Sequence, residues 1–332
     1  MPRVSVIMPC WNAARYLGRT LESLAAQTFR DFEAIIVDDG STDETPLVLA
    51  DWAARDRRLK VVRQEHQGLV AAPQRALDES AGELIARMDA DDIAHPRRLE
   101  WQVGLMQERP EVTMAGGLVR MFPRAAMREG MRRYERWLNS VCTQEQIARD
   151  MFVENPLAHP SVMMRADAVR GVGGYRDAGW PEDYDLCLRL YGAGARFEKV
   201  PEVVLWWRDQ PDRATRTHGR YARTQFRRCK VHYLKALHLG DRGRVAIWGA
   251  GKEGRALGKH VRRAGIEIAR FIDIAPTKIG GTLLGAPVEG PEAVRPDEYL
   301  LVAAGAAGAR SLIREELNGR GLREPEHYRT MV

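Results

Sequence analysis

Three carboxylates, Asp89, Asp91 and Asp92, fall within four positions at the end of the apolar run LIARMD, with no Lys or Arg among them. Like charges this close repel one another, so the spacing suits a site that awaits a cation better than it suits a purely structural turn. Mg2+ and Mn2+ prefer oxygen ligands and commonly share one or two carboxylates with substrate phosphates. A second acidic pair, Asp38 and Asp39, closes the run EAIIV just before Gly40. A third group, Glu182, Asp183 and Asp185, follows Pro181. Acids in a first helical turn complement the dipole, and one aimed at a hydroxyl can also take its proton. Far downstream, Gly249, Gly251 and Gly254 form GxGxxG between RVAIW and a helical pattern, with Asp273 nineteen positions beyond Gly254. That is the spacing of a dinucleotide fingerprint: glycines admit a pyrophosphate to a helix N-terminus, and the acid can bind ribose hydroxyls.

Alternating strands and helices are needed to hold these groups. Residues 4–9, 32–41, 60–65 and 84–89 read as strands, and 13–27, 44–56 and 71–80 as the helices between them. Continuous β-rich runs separated by helices indicate parallel strands covered on both faces. Ligands of such sheets gather beyond the carboxyl ends of the strands, where Pro9–Asn12, Asp38–Asp39 and Asp89–Asp92 all fall. The stretch from about 106 to 158 is less regular and is expected to form excursions over the site, with a helix at 145–152. Pro181 marks a helix start, and residues 198–209 supply a further strand. A charged segment then leads to a fresh α/β unit, giving expected domains of 1–240 and 241–332.

At 332 residues two domains are the natural expectation, and 45% hydrophobic residues are enough for sizeable cores. A net charge of +6 suits a protein that handles anions such as nucleoside diphosphates, or one in peripheral contact with an acidic membrane surface. No aromatic-interleaved basic tract points to nucleic acid, and no apolar run approaches a transmembrane span. Cys10, Cys142, Cys187 and Cys229 lack zinc or disulfide spacing, which fits a cytoplasmic protein.

VSVIMPCWNAARYLGRTLESLAAQTFRDFEAIIVDDGSTDET, ARMDADDIAHPRRL and GGYRDAGWPEDYDLCLRL, in this order, closely resemble the family-2 glycosyltransferases of the GT-A fold over roughly residues 3 to 220. The resemblance implies a GT-A-type, mostly parallel sheet flanked by helices. It also implies metal-dependent inverting transfer of a sugar from a nucleoside diphosphate donor, a UDP-sugar, to a carbohydrate or lipid-linked acceptor. By the same resemblance Asp91 binds Mn2+ or Mg2+, and Asp89 assists the metal or faces the ribose. Asp39 faces the base; Pro9, Trp11 and Asn12 line its pocket, Trp11 standing where tyrosine is usual. Asp183 is the catalytic base, Glu182 hydrogen-bonds a sugar, and Trp180 stacks on the acceptor. Asp92 is expected to cap the turn or helix after it, and His159 to be a structural loop histidine. Two departures stand out: Gln74–Arg75 replaces an Asn–Arg pair, and Gln210 stands near where many relatives carry a metal-binding His.

From Gly243 to Val332 only 90 residues remain, about half a full dinucleotide-binding fold and without an evident redox residue. This segment resembles the small Rossmann-like nucleotide-binding domains appended to sugar-modifying enzymes. Either a nucleotide or NAD(H) at Gly249, Gly251, Gly254 and Asp273, or a purely structural module, is consistent with it. The alternatives to a transferase are an NAD-dependent sugar oxidoreductase or epimerase and a non-catalytic nucleotide-sugar scaffold.

Overall fold

The structure is a computed structural model, and it describes residues 1–210, 213–306 and 308–332. The chain divides into two compact units. The first comprises Met1–Ala148, Pro156–Ala178 and Glu182–Thr217; the second comprises Arg149–Asn155, Gly179–Pro181 and His218–Val332.

The first unit opens with β1 (Val4–Cys10), α1 (Ala14–Ala25), β2 (Phe32–Asp39), α2 (Thr45–Arg55), β3 (Leu59–Gln64), α3 (Ala71–Asp78) and β4 (Leu84–Arg87). It continues through β5 (Ile93–Ala94), α4 (Arg98–Glu108), β6 (Val112–Phe122), α5 (Glu129–Ser140) and α6 (Gln144–Asp150). Its last elements are β7 (Met163–Arg165), α7 (Ala166–Gly171), α8 (Glu182–Gly192), β8 (Arg196–Arg208) and α9 (Ala214–Thr217). Strand order is β3-β2-β1-β4-β7-β6-β8-β5. The sequence expectation of parallel strands holds for β3, β2, β1 and β4, while β7 runs antiparallel to both β4 and β6, so the whole sheet is mixed. β1 is buried along its length except at Pro9, and β2 throughout, as strands covered on both faces must be. α1 docks on that sheet through Leu17, Leu21 and Leu24, the spacing of one helical face.

β6 is the element that the sequence hides. Its eleven residues include Gly116 and Gly117, which read as breakers. The glycines are there because neighbours come close. A Cβ on Gly117 would stand 2.5 Å from both methyl carbons of Val204 on β8, and one on Gly116 would stand 2.8 Å from Leu157.

The second unit contains α10 (Arg223–Leu234), which runs on into a π-helical turn at Lys235–Leu239. Then come β9 (Arg244–Trp248), α11 (Lys252–Arg263), β10 (Glu267–Ile272), β11 (Thr282–Leu283), β12 (Ala286–Glu289), β13 (Leu300–Val302), α12 (Ala309–Gly319) and β14 (Tyr328–Thr330). The sheet order is β11-β12-β10-β9-β13-β14, all neighbours parallel except β11. Its core is built from Trp248, Ile272, Val302, Leu317 and their neighbours. No helix among the described residues is long and apolar enough to cross a membrane.

Candidate functional site

In the first sheet the strand order reverses between β1 and β4, the place where doubly wound folds bind ligands. The loop leaving β4 carries the acids. One carboxylate oxygen each from Asp89, Asp91 and Asp92 lie within 4.8 Å of one another. The loop is held from two sides. The Thr20 hydroxyl on α1 lies 2.9 Å from the carbonyl of Ala90 and 2.8 Å from that of Asp92. From β8, Arg208 donates its backbone N–H to Asp92 Oδ1 at 2.7 Å and its Nε to the Asp91 carbonyl at 2.7 Å. The Arg208 guanidinium is itself fixed over the rings of Tyr16 and Phe122.

Asp92 is not a helix cap. Residues 93–94 form β5 against β8, α4 begins only at Arg98, and Asp92 is fully buried with its Oδ2 lacking any hydrogen-bond partner among the described residues. Burial first, then Asp91 and Asp89, raises its pKa well above the ordinary carboxylate value. Asp91 is pushed up to about 6, by burial first and Asp89 next, against the pull of Arg213 and Arg208. Its Oδ2 accepts a 2.6 Å hydrogen bond from Gln210 Nε2. Asp89 is the more open acid, and its Oδ1 pairs with Arg87 Nη2 at 2.7 Å. Clustered hard oxygens, one of them orphaned and two destabilised as anions, are the donor set that a divalent cation fits. Fully buried Arg98 lies behind them, donating to the Arg87 carbonyl at 2.6 Å, its own pKa lowered by burial to about 10.

At the end of β2, Asp38 Oδ1 accepts from the Ser41 N–H at 3.0 Å, the turn-forming bond of a strand-end aspartate. Asp39 carries more. Its Oδ1 accepts from Gln64 Nε2 (2.7 Å) and the Gln67 N–H (2.9 Å); its Oδ2 accepts from the Gly68 N–H (2.8 Å) and faces His66 Nδ1 (2.9 Å). Four partners fill the four lone-pair positions of a carboxylate, so an incoming base would have to displace or share one of them. His66 in turn stacks on Trp11, centroids 4.7 Å apart, and Trp11 stays 54% exposed. Asn12, in the left-handed region at φ 48°, donates its N–H to Ser41 Oγ and accepts from Thr42 N–H, both at 2.9 Å, and Pro9 is half-buried three residues earlier in β1.

The third acidic group stands at the start of α8. Asp185 is structural: it pairs with Arg189 Nε at 2.7 Å, and Arg189 also donates to the carbonyls of Val172 and Gly174. Glu182 is buried and Asp183 half-buried. Both act electrostatically on Tyr175, whose phenol pKa is raised chiefly by burial. Tyr175 lies 2.8 Å from His159 Nε2 and stacks on that ring at 5.5 Å, and its backbone N–H donates to Gln74 Oε1 at 2.7 Å. Burial, then Arg87, lowers the His159 pKa to about 3, so this is a neutral structural histidine, as its sequence context suggests. Arg87 acts on His159 and on Tyr175 while it grips Asp89. The acids of β4 and of α8 therefore share one electrostatic neighbourhood. Arg75 makes an exposed pair with Glu79. Trp180 belongs to the second unit, where its ring lies 5.2 Å from that of His232 and under Arg228.

In the second unit Gly249 has φ 122°, and a Cβ on it would stand 2.7 Å from the Ala303 carbonyl oxygen. A Cβ on Gly254 would fall 1.6 Å from the Gly249 oxygen, so only glycine lets α11 start this close to the loop. Asp273 turns onto that loop: its Oδ2 accepts from Ala250 N–H (2.8 Å) and Lys278 Nζ (2.9 Å), its Oδ1 from Ala275 N–H (3.0 Å). Burial would raise its pKa, but Lys278 and the two backbone donors hold it below the ordinary value. Thr20, Arg98, Arg208 and Gln64 escaped the sequence reading, since none lies within a recognisable spacing of the acids it serves.

The profile of Glycosyl transferase family 2 matches residues 5–173. The chain is 32% identical over 226 residues to the Putative glycosyltransferase EpsE of Bacillus subtilis, covering 67% of this chain and 78% of that one. It is 32% identical over 218 residues to the Amylovoran biosynthesis glycosyltransferase AmsE of Erwinia amylovora, covering 65% and 79%. Among solved structures it resembles Staphylococcus aureus TarS 1–349 in complex with UDP-GlcNAc, at TM-score 0.55 and 17% identity over 79% of this chain and 72% of that one. It also resembles the mannosyltransferase PcManGT of Pyrobaculum calidifontis in complex with GDP-Man and Mn2+, at TM-score 0.52 and 21% identity over 70% and 62%. The last two likenesses are of fold. With the mixed sheet and acid loop they give the first unit a GT-A-like architecture, and the chain belongs to glycosyl transferase family 2.

Proposed function

We propose that this glycosyltransferase is an inverting, metal-dependent enzyme that moves a sugar from a UDP-sugar to a hydroxyl of a carbohydrate or lipid-linked acceptor in polysaccharide assembly. The observation that carries this reading is the acid cluster at the β1/β4 switch point, with the orphaned Oδ2 of Asp92 and the open Asp89. AmsE, described as an amylovoran biosynthesis glycosyltransferase, supports the polysaccharide context.

In this reading Asp89 and Asp91 hold Mn2+ or Mg2+, which when bound neutralises charge growing on the departing diphosphate. Arg87 fixes Asp89, Arg208 fixes Asp91 through its carbonyl, and the Gln210 amide occupies Asp91 Oδ2 until a cation takes its place. Asp39 binds the β3–α3 loop beside the base and thereby seats His66 under Trp11, whose exposed face is the stacking platform, with Pro9 and Asn12 shaping the rim. Asp183 takes the proton of the attacking hydroxyl, and Glu182 orients a sugar. Position in the first turn of α8 favours the ionised base. Incubating the full-length protein with a panel of nucleotide sugars and Mn2+ tests the reading. Slow donor hydrolysis or acceptor labelling is expected, and neither binding nor turnover would overturn it. Asp183→Asn should keep donor affinity and lose about 10²–10⁴ in turnover; retained turnover would move the base elsewhere.

Residues 241–332 are proposed to form a Rossmann-like domain that takes a nucleotide or NAD(H) phosphate at Gly249, Gly251 and Gly254. Lys278, drawn to the loop by Asp273, supports an anionic ligand there. Titration with NADH, followed by its fluorescence, and with UDP separates the two ligands. Silence in both would leave the domain a structural module.

A further inference from the structure

The second unit contains a basic cavity that plays no part in the proposed sugar transfer. It measures about 590 Å3 and lies beside α10, its π-helical continuation and α11. Three cations line it, Arg228, Lys235 and Arg263, together with the imidazoles of His232 and His260, and no carboxylate is among the lining residues. One wall is aromatic: the Trp180 ring sits 5.2 Å from His232, with the Arg228 guanidinium 5.6 Å above it. The Trp180 backbone is anchored by Arg220 Nη1, 3.1 Å from its carbonyl.

Gathering like charges around a cavity without a counter-charge costs free energy unless an anion is expected. His260 points the same way. It is only 8% exposed, it lines the cavity, and its ring has no hydrogen-bond or ion-pair partner among the described residues. Its ring nitrogens are not sealed from solvent, so they are open to hydrogen-bond a molecule that enters the cavity. Burial first, then Arg263, Arg227 and Arg228, lowers the proton affinity of His260. The cations that repel a proton there are those that would draw an anion in.

We propose that this cavity is a binding site for a phosphate ester, its phosphate held by Arg228, Arg263 and His260 and its apolar or planar body laid on Trp180. The volume falls within the range of small-ligand sites, well above that needed for a phosphate ion alone. Arg and imidazole N–H groups supply the charge-assisted bonds, and a planar body on indole supplies what inorganic phosphate lacks. A soluble ester and the headgroup of an acidic phospholipid share this chemistry.

The test uses the full-length protein in EDTA, which disables any cation-dependent binding at the acid cluster. Calorimetric titration with naphthyl phosphate is expected to saturate, with naphthol and inorganic phosphate each binding at least about tenfold more weakly. Arg228→Gln/Arg263→Gln should weaken naphthyl phosphate by about tenfold or more, and Trp180→Ala should weaken naphthyl but not inorganic phosphate. Asp91→Asn should change nothing, which separates this site from the donor site. The arginines are exposed, so their replacement leaves the fold standing; a melting curve checks this, and Lys235→Gln gives an independent reading of the same wall. Co-sedimentation with phosphatidylcholine vesicles carrying about one-fifth phosphatidic acid, abolished in the double variant, would assign the phosphate to a lipid headgroup. Naphthyl phosphate binding without added sedimentation would assign it to a soluble ester. The proposal is overturned if neither probe binds, if binding survives the double variant, or if it is lost in Asp91→Asn.

Discussion

Replacing Gln210 with alanine should tighten Mn2+ binding. The Gln210 amide donates to Asp91 Oδ2 at 2.6 Å, occupying an oxygen that a cation would use. A hydrogen bond to a charged group contributes about 1.5–3 kcal/mol, and the half-buried position of Gln210 argues for the lower end. A cation that no longer displaces this bond gains about 1.5 kcal/mol at most, and about 1.4 kcal/mol is tenfold in affinity. Water takes part of the amide's place and is displaced at lower cost, so a three- to tenfold fall in Kd is expected, roughly 0.6–1.4 kcal/mol. Free Mn2+ followed by electron paramagnetic resonance at constant ionic strength reads this directly. The titration belongs near pH 8, because Asp91 is raised to about 6, and removing a donor to a carboxylate disfavours its ionised form. At that pH proton competition is negligible for parent and variant alike. Gln210→His should bind Mn2+ tighter still by adding an imidazole, and Asp91→Asn should bind it far more weakly. If Gln210→Ala binds Mn2+ no better than the parent, the amide supports the metal site instead of blocking it, and the reasoning fails.

His159 is held neutral in the folded protein, with a pKa lowered to about 3, whereas an unfolded histidine titrates near 6.5. The unfolded chain therefore binds a proton that the native one refuses, so stability is lost as pH falls below about 6.5; about 1–2 kcal/mol should go by pH 5, and His159→Phe should flatten that slope in thermal melts. Gly117→Val drives a side chain into Val204 and should cost about 1–3 kcal/mol in denaturant unfolding, with unchanged stability refuting the close β6–β8 approach. Gly254→Ala sets a methyl against the Gly249 carbonyl oxygen; unfolding of the second unit about 3 kcal/mol earlier is expected, detectable as a separate calorimetric transition.

The strands were legible in the sequence as apolar runs, those of β2 and β4 closing at acids; their ends fall within two residues of the expected ones, β1 reaching Cys10, β2 stopping at Asp39 and β4 at Arg87. The acid loop could be read for the same reason: carboxylates without nearby cations announce themselves. What holds the loop could not be read. Its supports Thr20 and Arg208 lie 70 to 117 positions away from the groups they hold, and no local pattern encodes such a meeting; only Gln210 stands out in the sequence, through the resemblance. Asp92 looked like a cap because short polar residues before a helix usually are; the intervening β5 takes it into the interior instead. β6 was lost to its glycines, whose purpose becomes visible only when β8 lies alongside. Arg98, in PRRL, gave no sign that one of two adjacent arginines would be wholly buried.

The saturation of Asp39 has a consequence for how the nucleotide entrance responds to change. With Gln64, Gln67, Gly68 and His66 all tethered to a single carboxylate, the rim from β2 to α3 is one mechanical piece, and Trp11 rides on it through His66. Removing any one tether leaves three in place. Removing Asp39 cuts all of them together, so the entrance is robust to drift around its edge and brittle at its hinge pin.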